Sequence, residues 1–166
     1  MSEIVMNRVD DRLIHGQVIT GWVGLRNANA IWIVDDAVAV NPMMLDIFKF
    51  AAPANVTIEA FTVAAAAEKL QKLSEGNARV LLITKVPKTF LRLMELGYQP
   101  KDINYGAMAH KPQSKNVAPN CDLSPEEIAD TEALHQKGIR VWILLVPFGG
   151  QKEVDWVKAR QKVGLK

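Results

Sequence analysis

"AIWIVDD", residues 30–36, is a run of five apolar residues stopped by two acids. A strand with one wet face alternates apolar and polar residues. This one does not, so it reads as a strand buried on both faces, the mark of a parallel sheet. "ARVLLIT" (78–84) and "IRVWILLV" (139–146, the last strand) have the same character. "EIVMNRV" (3–9) and "VTIEAF" (56–61) also read as strands, and "DINYGAM" (102–108) as a short strand running into a Gly turn. "KNVAPN" (115–120) is a candidate for one more strand, antiparallel.

Helical patterns fill most of the gaps. "NPMMLDIFKFAA" (41–52) has Asn as a cap and Pro at the first helical position, and "VAAAAEKLQKL" (63–73) stops before Gly76. "PKTFLRLMELG" (87–97) opens on Pro and closes on Gly. "SPEEIADTEALHQKG" (124–138) carries a Ser cap, Pro at the first position, Glu at the third and a closing Gly. "GQVITGWVGLR" (16–26) reads as a helix despite Ile19, Thr20 and two glycines, and "GQKEVDWVKARQKV" (150–163) as a closing helix. Alternating strands and helices predict an α/β fold: a mostly parallel sheet in a three-layer domain, with helices on both faces. The 166 residues suit one domain, spanning 1–166.

The totals narrow the function. Hydrophobic residues make up 49 %, enough for one core, and runs such as "VWILLVPF" are far too short to span a membrane. The chain does not open on a basic region, an apolar core and a small-residue cleavage site, so no signal peptide is expected. One cysteine, Cys121, excludes an internal disulfide and fits a reducing cytosol. Net charge is +2 with scattered basic residues, apart from Lys158, Arg160, Lys162 and Lys166, which argues against nucleic acid as a partner. No Gly-x-Gly-x-x-Gly or Walker-type run is present, and no pair of the three His has metal-ligand spacing. No cofactor and no metal is expected.

In parallel sheets ligands sit beyond the carboxyl ends of the strands. "VDDRLIHGQV" (9–18) lies there, between the first strand and the first helix. His15 falls at or just before the helix start, where free N–H groups favour an anion. Arg12 adds a planar fork of donors suited to phosphate. An imidazole beside an anion pocket can shuttle a proton, or it can attack phosphorus and carry the phosphoryl group. A carboxylate facing phosphate would repel it. At least one of Asp10 and Asp11 should therefore turn to Arg8, Arg12 or loop N–H groups. A carboxylate accepting one ring N–H would fix the tautomer, and the sequence leaves open which acid does so. Gln17 is placed to bond the phosphate, the loop or a partner.

Asp35 and Asp36, at the end of the second strand, either line the same edge or only close a turn. Thr84 and Lys85, at the end of the fourth strand, face the same two readings and fit the structural one better; His110 and His135 read as structural. The four tryptophans read as core, with Trp22 a candidate for a partner contact.

"RVDDRLIHGQVITGWV" (8–23) closely resembles the active-site segment of the IIB component of the mannose/fructose/sorbose (N-acetylgalactosamine) family of the bacterial sugar phosphotransferase system. "IWIVDDAVAVNPMM" (31–44) resembles that family's second strand and following loop. "INYGAMAHK" (103–111) is similar to its Asn-x-Gly-Gly-Met turn, with Ala107 at the second Gly. The resemblance implies a sheet of about seven strands in a cytoplasmic protein that acts transiently at the inner face of the membrane. It implies that His15, through Nδ1, takes a phosphoryl group from a phosphohistidine on a IIA partner. The group then passes to a sugar held by the membrane components IIC and IID. Arg12 maps onto the phosphate-supporting arginine, and Asp10, Asp11 and Gln17 onto positions around it. A homodimer is compatible with the sequence, and periodicity does not decide it.

Two rivals stand beside the carrier. One is a phosphatase or sugar-phosphate isomerase using His15 with Asp35 or Asp36 as a second acid/base group. The other is a non-catalytic regulator in which His15 senses phosphate state.

Overall fold

The computed structural model describes residues 1–166, except for the side chains of Gln17 and Val18. Strand β1 (Glu3–Val9) leads into helix α1 (Gly16–Arg26), then β2 (Ala30–Val34), α2 (Asp36–Ala39), α3 (Pro42–Ala51), β3 (Thr57–Phe61) and α4 (Val63–Gln71). The chain continues through β4 (Arg79–Thr84), α5 (Pro87–Glu95), β5 (Asp102–Tyr105), β6 (Lys115–Ala118), β7 (Cys121–Leu123) and α6 (Pro125–Gln136). It closes with β8 (Arg140–Ile143), β9 (Val154–Asp155), α7 (Trp156–Ala159) and a 3-10 turn (Arg160–Val163).

The main sheet has seven strands in the order β3-β2-β4-β1-β5-β8-β9. All neighbours pair parallel except β8 and β9. The continuous apolar strands work as their composition requires, sending alternate side chains to opposite faces. Met6, Ile31, Ile33, Leu81 and Ile83 pack with Ile19 and Trp22 of α1 and Val38 of α2. Val9, Val34, Leu82 and Tyr105 pack with Ala66 of α4, Phe90 and Leu93 of α5 and Leu134 of α6. Both faces are therefore covered by helices. The helix starts follow local chemistry: Asn41 accepts from the Met44 N–H ahead of Pro42, and Ser124 and Glu127 form a reciprocal capping box.

From β1 the chain crosses towards β2 and β3 on one face; from β4 it returns towards β5 on the other. The loop after β1 thus leaves for the opposite face from the connections after its neighbours β4 and β5. This is a switch point, where a crevice opens at the carboxyl edge of the sheet.

Five elements differ from the sequence expectation. β2 ends at Val34, not at residue 36, because Asp35 caps the unforeseen α2, its Oδ1 accepting from the Ala37 and Val38 N–H groups. β5 stops at Tyr105; the chain then leaves the main sheet, and Met108 forms an isolated bridge to Cys121 at the start of β7. Residues 115–123 form a separate two-stranded antiparallel hairpin rather than one strand. The strand expected over 139–146 ends at Ile143. The expected closing helix over 150–163 is broken: Val154 and Asp155 pair with Ile143 and Trp142 as an antiparallel edge strand. Asp155 then caps α7 by accepting from the Val157 N–H, and it binds Arg140 at 2.9 Å. A carboxylate that can cap a helix and pair with an arginine resets the helix start to residue 156.

This C-terminal segment is tied to α6 by Glu132. Its carboxylate accepts from Arg160 Nε and Nη2 and from Trp156 Nε1 at 2.9 Å. The Arg160 hydrogen bond, joined by those of Gln136 and Trp156, holds the Glu132 carboxyl down at about 2 against the opposing effect of burial. A depressed carboxyl pKa adds stability that is present above the unfolded value of about 4.3 and is lost as pH falls towards the folded value. Glu132→Gln is expected to lower Tm at pH 7 by about 3 °C. It should also flatten the fall in Tm between about pH 4.5 and about pH 2 that the unaltered chain shows in a thermal-melt series.

Candidate functional site

The loop after β1 is held from three sides. The Asp10 N–H donates to Thr84 O at 2.9 Å, the Asp11 N–H to Ala107 O at 3.0 Å, and the Gly106 N–H to Val9 O at 2.8 Å. The Leu13 N–H closes a turn onto Asp10 O at 3.0 Å. Leu13 sits at φ 55, uncommon for a residue with a branched side chain. Burial of the Leu13 and Ile14 side chains in the core beneath holds it there. His15 is the N-cap of α1, with extended backbone (φ −151, ψ 124), and its side chain forms no capping bond. The imidazole is thereby set beside the free N–H groups of a helix of 11 residues.

The ring is oriented from below. Nε2 lies 2.9 Å from Asp10 Oδ2, and the same oxygen pairs with Arg8 Nη2 at 2.9 Å. Both Arg8 and Asp10 side chains are fully buried. Arg8 also donates to the Asn104 side chain and to the carbonyls of Leu144 (3.3 Å) and Leu145 (3.0 Å), with its guanidinium 5.6 Å from the Trp22 ring centre. Burial works against the charge on Asp10. The hydrogen bond to His15, the charge of Arg8 and the Arg12 N–H outweigh it and hold the carboxyl below the usual carboxylate range. Burial lowers the Arg8 pKa, opposed by Asp10. An ionised carboxylate accepts only, so Nε2 carries the proton and donates it to Asp10 as a hydrogen bond, leaving a lone pair on Nδ1. No protein group bonds Nδ1 among the described residues. The His15 side chain retains 12 % exposure, enough to be reached from outside.

Asp11 turns away. Its Oδ2 accepts from the Ala109 N–H at 2.6 Å, tying the loop to the turn after β5. Arg12 is exposed, its N–H donating to Asp10 Oδ1 at 3.0 Å. Its guanidinium makes no hydrogen bond or ion pair among the described residues, so the fork is free for an incoming anion. The Gln17 side chain lies outside the described residues. Of the predicted group, Asp10, Asp11, Arg12 and His15 thus share one loop: Asp10 sets the ring, Asp11 sets the loop and Arg12 faces outward.

The other candidates are placed by their contacts. Asp35 caps α2. Asp36 accepts from the Val63 N–H at 2.9 Å and pairs with Arg92 at 2.9 Å, so neither acid is aimed at His15. Thr84 is buried and donates to Val86 O at 3.1 Å, and Lys85 is exposed. His110 pairs with Asp122 on the hairpin side, and His135 closes α6. Trp22 was a candidate partner contact, but it is 1 % exposed and donates from Nε1 to Leu145 O at 2.9 Å, so it belongs to the core.

Three residues escaped the sequence reading as site components. Arg8 appeared only as a partner for an acid, and Asn104 and Gly106 carried no role. The available signal was Arg8 itself, a charge set among apolar strand residues and spaced two from Asp10, so that both face one side. Gly106 matters through space. A Cβ there would overlap Arg8 Nη2 and the Asp10 carboxylate, so the β5 turn approaches the ion pair only because this residue has no side chain. Ala107 is outside the positive-φ residues, which is why alanine is accommodated there.

Residues 4–165 match the family model of the phosphotransferase system sorbose subfamily IIB component. The chain belongs to that family. It is 30 % identical over 151 residues to N-acetylgalactosamine-specific phosphotransferase enzyme IIB component 1 of Escherichia coli, covering 90 % of this chain and 94 % of that one. The solved IIB domain of the sorbose permease from Klebsiella pneumoniae superposes with a TM-score of 0.88 at 25 % identity, covering 99 % of both chains. Part of the mannose-specific EIIAB component of Escherichia coli is 30 % identical over 138 residues, covering 83 % of this chain and 43 % of that protein. This family member is thus a component of sugar phosphotransfer. Among the described residues, no helix is long and apolar enough to cross a membrane.

Gly106→Ala must displace the buried ion pair or the β5 turn. It is expected to cost about 2 kcal/mol and lower Tm by roughly 5 °C. Ala107→Gly should stay within about 2 °C of the unaltered protein in the same thermal melts.

Proposed function

We propose that this IIB protein carries a phosphoryl group on His15 Nδ1, taken from a phosphohistidine of a IIA protein and given to a sugar held by the membrane components IIC and IID. The observation that carries the proposal is the hydrogen bond from Nε2 to a buried, ionised Asp10, which leaves the Nδ1 lone pair available above a helix N-terminus. The 43 % coverage of the mannose EIIAB relative supports a IIA donor, since that name joins a IIA and a IIB part in one chain. The sites act at the cytoplasmic face of the membrane, within one domain spanning 1–166.

The first step conserves atoms and charge. The Nδ1 lone pair of neutral His15 attacks phosphorus. The bond between phosphorus and the donor ring breaks, and the donor imidazole leaves with that electron pair. His15 becomes a phosphoimidazolium whose Nε2–H still faces Asp10, so the carboxylate meets positive charge as it develops. Arg12 and the first-turn N–H groups of α1 take up the phosphoryl oxygens, whose charge is spread in the loose transition state. In the second step a sugar hydroxyl attacks phosphorus, His15 leaves as a neutral ring, and the hydroxyl proton passes to a base of the membrane component. Asp10 keeps its hydrogen bond throughout, so both transfers start from the same tautomer.

A sugar-phosphate isomerase or phosphatase needs a second acid/base group opposite His15, and both acids considered for that role are engaged elsewhere.

Purified protein incubated with phosphoenolpyruvate, the general phosphotransferase proteins and a family IIA is expected to gain one acid-labile, alkali-stable phosphate by intact mass. His15→Ala is expected to gain none, and a label that persists in it contradicts the proposal. In the same assay Arg12→Ala should slow labelling by about 10- to 100-fold, as a lost charge contact to a transferring phosphoryl group does. Its Tm should be unchanged, because Arg12 is exposed. Asp10→Asn should slow labelling by about 100-fold or more by releasing the tautomer, and should lower Tm by leaving Arg8 buried without its partner.

A further inference from the structure

Helix α3 is turned inside out relative to the other long helices. Its inner side offers Leu45 and Phe48, only partly buried, to the core beneath, and it has no fully buried residue. Its outer side carries Met43 (74 % exposed), Ile47 (62 %) and Phe50 (95 %), flanked by Val40 and Met44. Positions 43, 47 and 50 follow one another at i, i+4 and i+7, a single stripe along the helix. The stripe covers on the order of 500 Å², near the top of what the largest apolar patch of a monomer reaches. An exposed apolar stripe of this size marks an interaction site.

We infer that the occupant is α3 of a second copy of this chain, packed antiparallel about a two-fold axis near Ile47. The charges beside the stripe point to self-pairing. Asp46 and Lys49 lie on the same flank of the stripe, three residues apart, and neither makes an ion pair among the described residues. In an antiparallel helix pair related by a two-fold axis, one flank meets the same flank of its copy. Asp46 then lies beside Lys49 of the second copy, and Lys49 beside its Asp46, so the face is complementary to itself in charge as in shape. Ile47 meets its own copy near the axis, and Met44 lies over Phe50 of the second copy. A lipid surface fits less well, because an interfacial helix carries a basic polar face and this one has balanced charges.

The small area points to a transient pairing. A standard stable interface buries about 800 Å² per partner. The stripe falls short of that, so the dimer is weak, with half-association on the order of 100 µM. It is compatible with the carrier function and independent of it. α3 packs on β3, at the far edge of the sheet and three strands from β1, so pairing leaves the His15 loop open.

Sedimentation of the full chain between about 10 µM and 1 mM tests the pairing. The mean mass is expected to climb from the 18.4 kDa monomer towards twice that value. Ile47→Asp and Asp46→Lys should each stay monomeric across the range with unchanged Tm, since both side chains are exposed. The charge swap Asp46→Lys with Lys49→Asp should regain association. A wild type that is monomeric at the top of the range overturns the inference, as does an Ile47→Asp variant that associates like the wild type. A charge swap that recovers nothing overturns the antiparallel arrangement. Phosphoryl acceptance should be the same in all these variants. Slower labelling of Ile47→Asp by the donor, without self-association of the wild type, would assign α3 to the donor instead.

Discussion

The Arg8–Asp10 ion pair is the constraint on which the His15 end of this protein depends. Two unit charges lie fully buried at the carboxyl end of the central strand. Desolvating them costs several kcal/mol per ion, and a buried pair alone seldom recovers that in stability. What the pair does here is geometric. It fixes one carboxylate oxygen beneath an imidazole, and the requirement to satisfy the arginine recruits Asn104 and the carbonyls of Leu144 and Leu145. Three neighbouring strand ends, those of β1, β5 and β8, are locked together by one side chain. The loop that presents His15 is therefore positioned by the sheet core and not by its own surface contacts.

That arrangement separates duties that a simpler site would mix. A carboxylate near a phosphoryl group is a repulsion unless it is turned away or neutralised. Asp10 is neutralised by Arg8 and shielded by the ring it holds, while Asp11 is spent on the Ala109 N–H. The positive groups left facing outward are Arg12 and the start of α1. The electrostatic sign of the surface then favours an anion although the loop contains two acids. Neighbouring connections leave for the other face of the sheet, so the crevice stays open.

Much of this was legible in the residues, and the reasons for the rest are specific. Unalternating apolar strands such as 30–34 declared a sheet covered on both faces, and local caps such as Ser124 with Glu127 declared helix starts within a few residues. His15 and Arg12 were legible because a loop at a strand's carboxyl end and a helix start are local features. The network beneath was not, because its members are far apart in sequence: Arg8 reaches Asn104 and Leu145, and Gly106 acts by having no side chain. Which acid would hold the ring was open for the same reason, since the choice depends on Arg8 and the Thr84 carbonyl. The C-terminal segment is helical in composition, but Val154 and Asp155 have better partners in β8 and Arg140. The outward apolar stripe of α3 was also hidden, because amphipathic spacing tells that a helix has an apolar face and not which way that face points.

The claim that matters most is that Asp10 reserves Nε2 and so directs chemistry to Nδ1. It is tested most directly by nitrogen-15 NMR of the phosphorylated protein with labelled histidine, assigning the His15 ring by comparison with His15→Ala. The account predicts a phosphorus-coupled Nδ1 and a protonated Nε2 still hydrogen-bonded to Asp10. Phosphorus bonded to Nε2 would contradict it, because the ring would then have to abandon Asp10 to react.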